Sequence, residues 1–240
     1  MKKYLIYLIA FVIVPALVLI GVFVFEDQQY DFIYLSIALC SLLPFFLAFE
    51  NRFPQAREIV LVAVLTAIAV ASRIIFAWAP SFKPVAAIII IVAIAFGKEI
   101  GFLVGALTAL LSNIYFGQGP WTPFQMFGWG FVGFIAGMLR RTFIMKNIVF
   151  LSIFGVLAGL IYSLILDVQT MFMIDNGFNF PRYLAIVASS FPITLTYMIS
   201  NAIFLVLLGN PLLKKFSRIN SLFHVGKKHL ILNFFILDYN

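Results

Sequence analysis

The sequence predicts an all-α integral membrane protein with eight spanning helices and both termini cytoplasmic, and three observations carry that expectation. Of its 240 residues, 64% are hydrophobic and only 10% are charged, whereas an ordinary soluble domain is about half apolar and roughly a quarter charged. A soluble fold of this size has too little polar surface to cover such a content. Mean hydropathy is +1.11, and apolar runs long enough to cross a bilayer recur along the chain. The third observation is the position of the basic residues, which fall between alternate runs.

The first run, 4–25, follows Lys2 and Lys3 and resembles a secretory leader. It is 22 residues long, against roughly 7–15 for a leader's apolar segment. It also lacks a small-x-small cleavage pair before Glu26, so a retained anchor is expected. The remaining runs fall near 31–49, 58–78, 84–97, 100–116, 123–139, 147–168 and 183–209. Turn formers separate them: Glu26-Asp27-Gln28-Gln29, Asn51-Arg52-Phe53-Pro54, Gly117-Gln118-Gly119-Pro120 and Gly209-Asn210-Pro211. The run at 84–97 is short for a span. Pro44 and Pro192 fall inside runs, where they predict kinks.

With both ends inside, the cytoplasmic segments hold Lys2, Lys3, Arg52, Arg57, Lys98, Arg140, Arg141, Lys146, Lys214, Lys215, Arg218, Lys227 and Lys228. Only Arg73, Lys83 and Arg182 remain for the outer side, a bias that fixes the expected orientation. The net charge of +7 is therefore a topology signal suited to anionic inner-leaflet lipid, and no nucleic-acid partner is implied. Cys40, the single cysteine, lies in an apolar run and belongs to no disulfide framework.

Composition divides the chain into three parts: two bulky N-terminal helices (1–54), a compact bundle (55–215), and a cytoplasmic or interfacial tail (216–240). The bundle carries small residues four apart: Ala63, Ala67 and Ala71; Gly101 and Gly105; Gly133 and Gly137; Gly155 and Gly159. Such faces let helices approach closely in lipid, where apolar burial alone gives no drive to associate. In the tail, 229–237 is apolar but too short to span. With Lys227 and Lys228 before it, the stretch suits the inner interface, and a disordered end is the alternative.

Catalytic machinery is not expected. Both histidines, His224 and His229, lie in the tail, so no HExxH zinc site forms. There is no GxSxG elbow and no GxxxxGK[ST] phosphate loop, and neither a metal nor a cofactor is implied. The nine acidic residues lie almost wholly at helix ends or in loops, unlike the carboxylate chain of a proton pump.

Polar and aromatic residues instead gather at the expected outer ends. One group surrounds Arg73, Trp78, Ser81 and Lys83. A second runs from Asn113 through Gln118, Trp121, Thr122 and Gln125 to Trp129. A third spans 167–182 and includes Asp167. An interfacial aromatic belt accounts for Trp78, and for Tyr162 and Tyr183. It accounts poorly for the second group, where amides and hydroxyls stand beside the rings, a mixture suited to a ligand pocket. For Arg73 three roles stay open: snorkelling to water, pairing with Asp167, or contact with an anionic ligand.

The stretch 59–141 resembles the substrate-binding S component of energy-coupling factor (ECF) transporters, the vitamin importers of bacteria and archaea. The likeness rests on Ala63-x-x-x-Ala67-x-x-x-Ala71 and on FGQGPWTPFQMFGWGFVGFIAG at 116–137, together with the size of the six-helix core. It implies an S-component-like bundle with two added N-terminal helices. It also implies a binding subunit rather than an enzyme, set in the cell membrane and powered by a T component and two ATP-binding cassette ATPases. Ala63, Ala67 and Ala71 would dock on the T component. Asn113, Gln118, Trp121, Thr122, Gln125 and Trp129 would bind substrate, with Arg73, Trp78 and Asp167 as further candidates. The broad, weakly charged outer mouth suits a large, mostly neutral ligand, and the family likeness puts cobalamin first; an acid such as pantothenate and a flat ring such as riboflavin follow. A membrane-embedded enzyme or lipid-handling protein without an ATPase partner, and a structural subunit without ligand, are the alternatives.

Overall fold

A computed structural model describes residues 56–175 and 179–223 together with Leu42, Leu43, Phe46, Leu47 and Phe49. Most of the two expected N-terminal spans and the tail beyond residue 223 lie outside the described residues. Six long helices and one short one follow in order: α1 (Ala56–Ile75), α2 (Val85–Phe96), α3 (Lys98–Phe116), α4 (Trp121–Leu139), α5 (Phe143–Lys146), α6 (Ile148–Asp175) and α7 (Phe180–Phe223). Among the described residues there is no strand. Four of these helices, α1, α3, α6 and α7, are long and apolar enough to cross a membrane.

The centre of the bundle is α2. Its twelve residues, VAAIIIIVAIAF, are apolar on every face, which is the pattern of a helix enclosed on all sides. Ile89 to Ala93 have no exposed surface, and α1, α3, α4, α6 and α7 all pack around them. The helix ends at Gly97, whose φ of 106° lies where a side chain is strained. The chain reverses there directly into α3. One hydrogen bond from α7 holds each end of α2: Ser200 Oγ donates to the Lys83 carbonyl at 3.0 Å and Asn220 Nδ2 to the Ala95 carbonyl at 2.9 Å.

Packing around this centre follows the small residues. α3 lies against α4 through Gly101, Gly105, Gly133 and Gly137, and α6 against α7 through Gly155 and Gly159. A Cβ on Gly105 would stand 2.5 Å from the Trp129 carbonyl oxygen, and one on Gly159 2.8 Å from the Met198 nitrogen. Backbone meets backbone at both places, so any side chain must force the helices apart. On α1, Val62, Leu65, Ala69 and Arg73 face inward, while Ala63, Ala67 and Ala71 are exposed.

Several boundaries differ from those read in the sequence. Gly209-Asn210-Pro211 was expected to end the last span, yet α7 continues through Pro192 and Pro211 to Phe223. Proline removes one backbone donor and leaves the rest of the helix intact, and membrane helices tolerate it. Beyond Pro211 the helix stays in contact with the end of α2, where Phe216 packs on Phe96 at 5.8 Å. α6 runs seven residues past the expected 168 to Asp175, so Gln169 is helical rather than in a loop. Trp121 already begins α4, and the connection from α3 shrinks to 117–120.

Gly105→Val should destabilise the bundle by about 1–3 kcal/mol through overpacking of the α3–α4 contact. The thermal midpoint of the detergent-solubilised protein will fall accordingly; an unchanged midpoint would refute the close-contact account.

Candidate functional site

At the end of the bundle opposite Lys98 and Arg140 lies a cavity enclosing about 570 Å³ of empty space, its open mouth included. Five helices and one loop supply its walls. Arg73 comes from α1, Ser81 and Lys83 from the loop before α2, Val85 and Ala86 from α2 itself, Gln125 and Trp129 from α4, Gly159 and Tyr162 from α6, and Tyr197 and Asn201 from α7. The lining, apolar and aromatic walls with a few placed polar groups, has the composition of a site for a small organic ligand.

Three aromatic side chains form one wall. Trp129 and Tyr162 stack with centroids 5.4 Å apart and planes 11° apart, and Tyr197 meets Tyr162 edge-on at 5.3 Å. Gly128 and Gly159 leave room for this stack, since a Cβ on Gly128 would collide with the Tyr162 ring at 2.9 Å.

A chain of hydrogen bonds, all pointing the same way, stands behind the opposite wall. Arg73 Nη1 donates to Ser112 Oγ and, at 2.8 Å, to Asn113 Oδ1. Asn113 Nδ2 donates to Thr122 Oγ1 at 2.9 Å and to Gln125 Oε1 at 2.8 Å. Thr122 Oγ1 donates to Gln118 Oε1 at 3.0 Å, and Gln118 Nε2 ends the series by donating to the Leu110 carbonyl at 2.8 Å. A guanidinium only donates and a carbonyl only accepts, so the direction of every bond between them is determined. Bonds aligned in this way polarise one another and strengthen the set. The result locks the end of α3 to the start of α4 and holds Gln125 at the cavity.

Arg73 is only 8% exposed, which rules out snorkelling, and it does not pair with Asp167. That carboxylate accepts instead from Ser190 Oγ at 2.9 Å across the α6–α7 contact. The guanidinium carbon lies 4.4 Å from the Phe116 centroid and 5.0 Å from that of Trp129, and Lys83 Nζ lies 4.4 Å from Phe116. Aromatic faces thus stabilise both cations. Burial, and then the neighbouring Arg73, hold the Lys83 ammonium below its ordinary pKa.

The nine residues singled out by the sequence take different places. Arg73, Gln125 and Trp129 line the cavity. Asn113, Thr122 and Gln118 form the hydrogen-bond series behind it. Trp121 packs over Gly119, Trp78 is 78% exposed and stacks on Phe76, and Asp167 belongs to the α6–α7 seam; none of these three lines the cavity. Tyr162 corrects the belt reading: it is buried in the core at 3% exposure because α6 extends well beyond it. Tyr197 and Asn201 were missed, since a lone tyrosine or asparagine in an apolar run gives no sign of the face it occupies. Lys83 and Ser81 were visible only as part of an outer cluster.

Comparison with known proteins agrees with this geometry. The model of the family described as "ECF-type riboflavin transporter, S component" matches residues 54–218, more than half of the chain. No curated protein matches the chain, and no solved structure does. S components are transport subunits that bind substrate and work with a T component and ATPases; they are not enzymes. The match over residues 54–218, which takes in nearly all of the described helical bundle, shows that this chain belongs to the ECF-type riboflavin transporter S component family.

Proposed function

We propose that the chain captures riboflavin in this cavity and delivers it through a T component and two ATP-binding cassette ATPases. The observation that carries the reading is the flat wall made by Trp129 and Tyr162, beside the amides of Gln125 and Asn201. A tricyclic ring extends such a stack, and amides suit its heteroatoms. The family's description favours riboflavin over the cobalamin suggested by the breadth of the outer loops.

The orientation in this proposal puts the cavity outside and both termini in the cytoplasm of an eight-span protein of the cell membrane. Support comes from the basic residues Arg57, Lys98, Arg140, Arg141, Lys146, Lys214, Lys215 and Arg218, which all belong to the opposite end. The docking surface is the exposed stripe of Ala63, Ala67 and Ala71 on α1. Without bulky side chains, a partner helix can approach that stripe closely and leave it again.

Riboflavin fluorescence should be quenched on titration with the purified chain, and Tyr162→Ala should weaken binding about tenfold or more. Retention of cobalamin with no quenching by the folded protein would overturn the substrate assignment. Ala67→Leu should abolish co-purification with the T component while ligand affinity stays within about twofold, because the stripe lies on the far face of α1 from the cavity. Normal assembly of that variant would remove the stripe from the docking surface.

A further inference from the structure

Two cations, Arg73 and Lys83, line the cavity, and no carboxylate among the described residues neutralises them. Arg73 uses Nη1 on Ser112 and Asn113. Its remaining edge, Nε and Nη2, has no acceptor among the described residues, although the side chain is 8% exposed. That edge is a planar two-donor fork that matches a carboxylate or phosphate. Lys83 lines the same cavity, and its ammonium and the guanidinium both lie 4.4 Å from the Phe116 ring.

Among the described residues, the four carboxylates that might balance these charges lie elsewhere. Asp167 accepts from Ser190, Asp175 pairs with Arg182 at 3.0 Å, and Glu58 and Glu99 lie at the other end of the bundle. Among the described residues no ion pair involves Arg73 or Lys83. Two like charges in a partly desolvated space repel, and each disfavours the other's charged form. A neutral ligand would leave that repulsion in place, whereas an oxyanion removes it and supplies the acceptor for the free edge of Arg73.

We propose that the cavity recognises a ligand bearing an oxyanion through Arg73 and Lys83, and that it therefore prefers the phosphate ester of riboflavin to riboflavin itself. This rests on the flavin reading of the same cavity. The aromatic wall would take the ring system that the two molecules share, and the cations would take the group that distinguishes them.

Riboflavin and riboflavin 5′-phosphate can be titrated separately against the full purified chain, with quenching of flavin fluorescence as the readout. The phosphate ester should bind at least about tenfold more tightly at low ionic strength, and added salt should shrink that advantage. Lys83→Met should bring the affinity ratio close to one, while Lys83→Arg should keep most of it. If riboflavin binds and its phosphate binds no better, the oxyanion site is wrong and the flavin reading survives. A preference that persists in full in Lys83→Met likewise overturns the assignment. Failure of the wild-type chain to quench either flavin would reject the flavin reading and this proposal with it.

Discussion

The architecture depends on the absence of side chains between α3 and α4. Lipid gives apolar helices no reason to prefer one another over hydrocarbon tails, so association rests on close packing and on polar contacts that packing makes possible. Gly101, Gly105, Gly133 and Gly137 bring the two backbones into direct contact. Only at that separation can Asn113 near the end of α3 reach Thr122 and Gln125 in the first turns of α4. The same logic governs α6 and α7, where Gly159 allows the approach that brings Tyr162 and Tyr197 together.

The hydrogen-bond series from Arg73 to the Leu110 carbonyl converts that packing into electrostatics. A buried guanidinium is costly in a membrane protein unless it faces a wet cavity or strong acceptors, and here it has both. Ser112 and Asn113 satisfy one nitrogen, the rings of Phe116 and Trp129 cover the planar face, and the cavity receives the remaining edge. The position of the charge is thus set by neutral groups. No protein carboxylate competes with a ligand for it among the described residues.

Much of this was legible in the residues, for identifiable reasons. Glycines four apart mark a close-packing face whatever surrounds it, so such faces on α3, α4 and α6 were legible, while the helix that each would meet was not. The cluster from Asn113 to Trp129 was legible as polar chemistry too dense for a headgroup belt. Its internal division was not. Thr122, Gln125 and Trp129 share a face of α4 while Trp121 does not, and that distinction requires knowing that α4 starts at Trp121 rather than two residues later. Helix ends were misread for a related reason: hydropathy reports the depth of hydrocarbon, and a helix keeps its backbone bonds beyond it. Hence α6 passes Gln169 and Thr170 and α7 passes Pro211 without stopping.

The brevity of α2 also gives the cavity its depth. Gly97 joins α2 to α3 with nothing between, so these two antiparallel helices start level at one end. Nineteen residues then carry α3 about 28 Å, whereas twelve carry α2 about 18 Å. The central post of the bundle therefore stops some 10 Å short of its neighbour. The taller helices around it become the sides of a well, with Val85 and Ala86 as its floor.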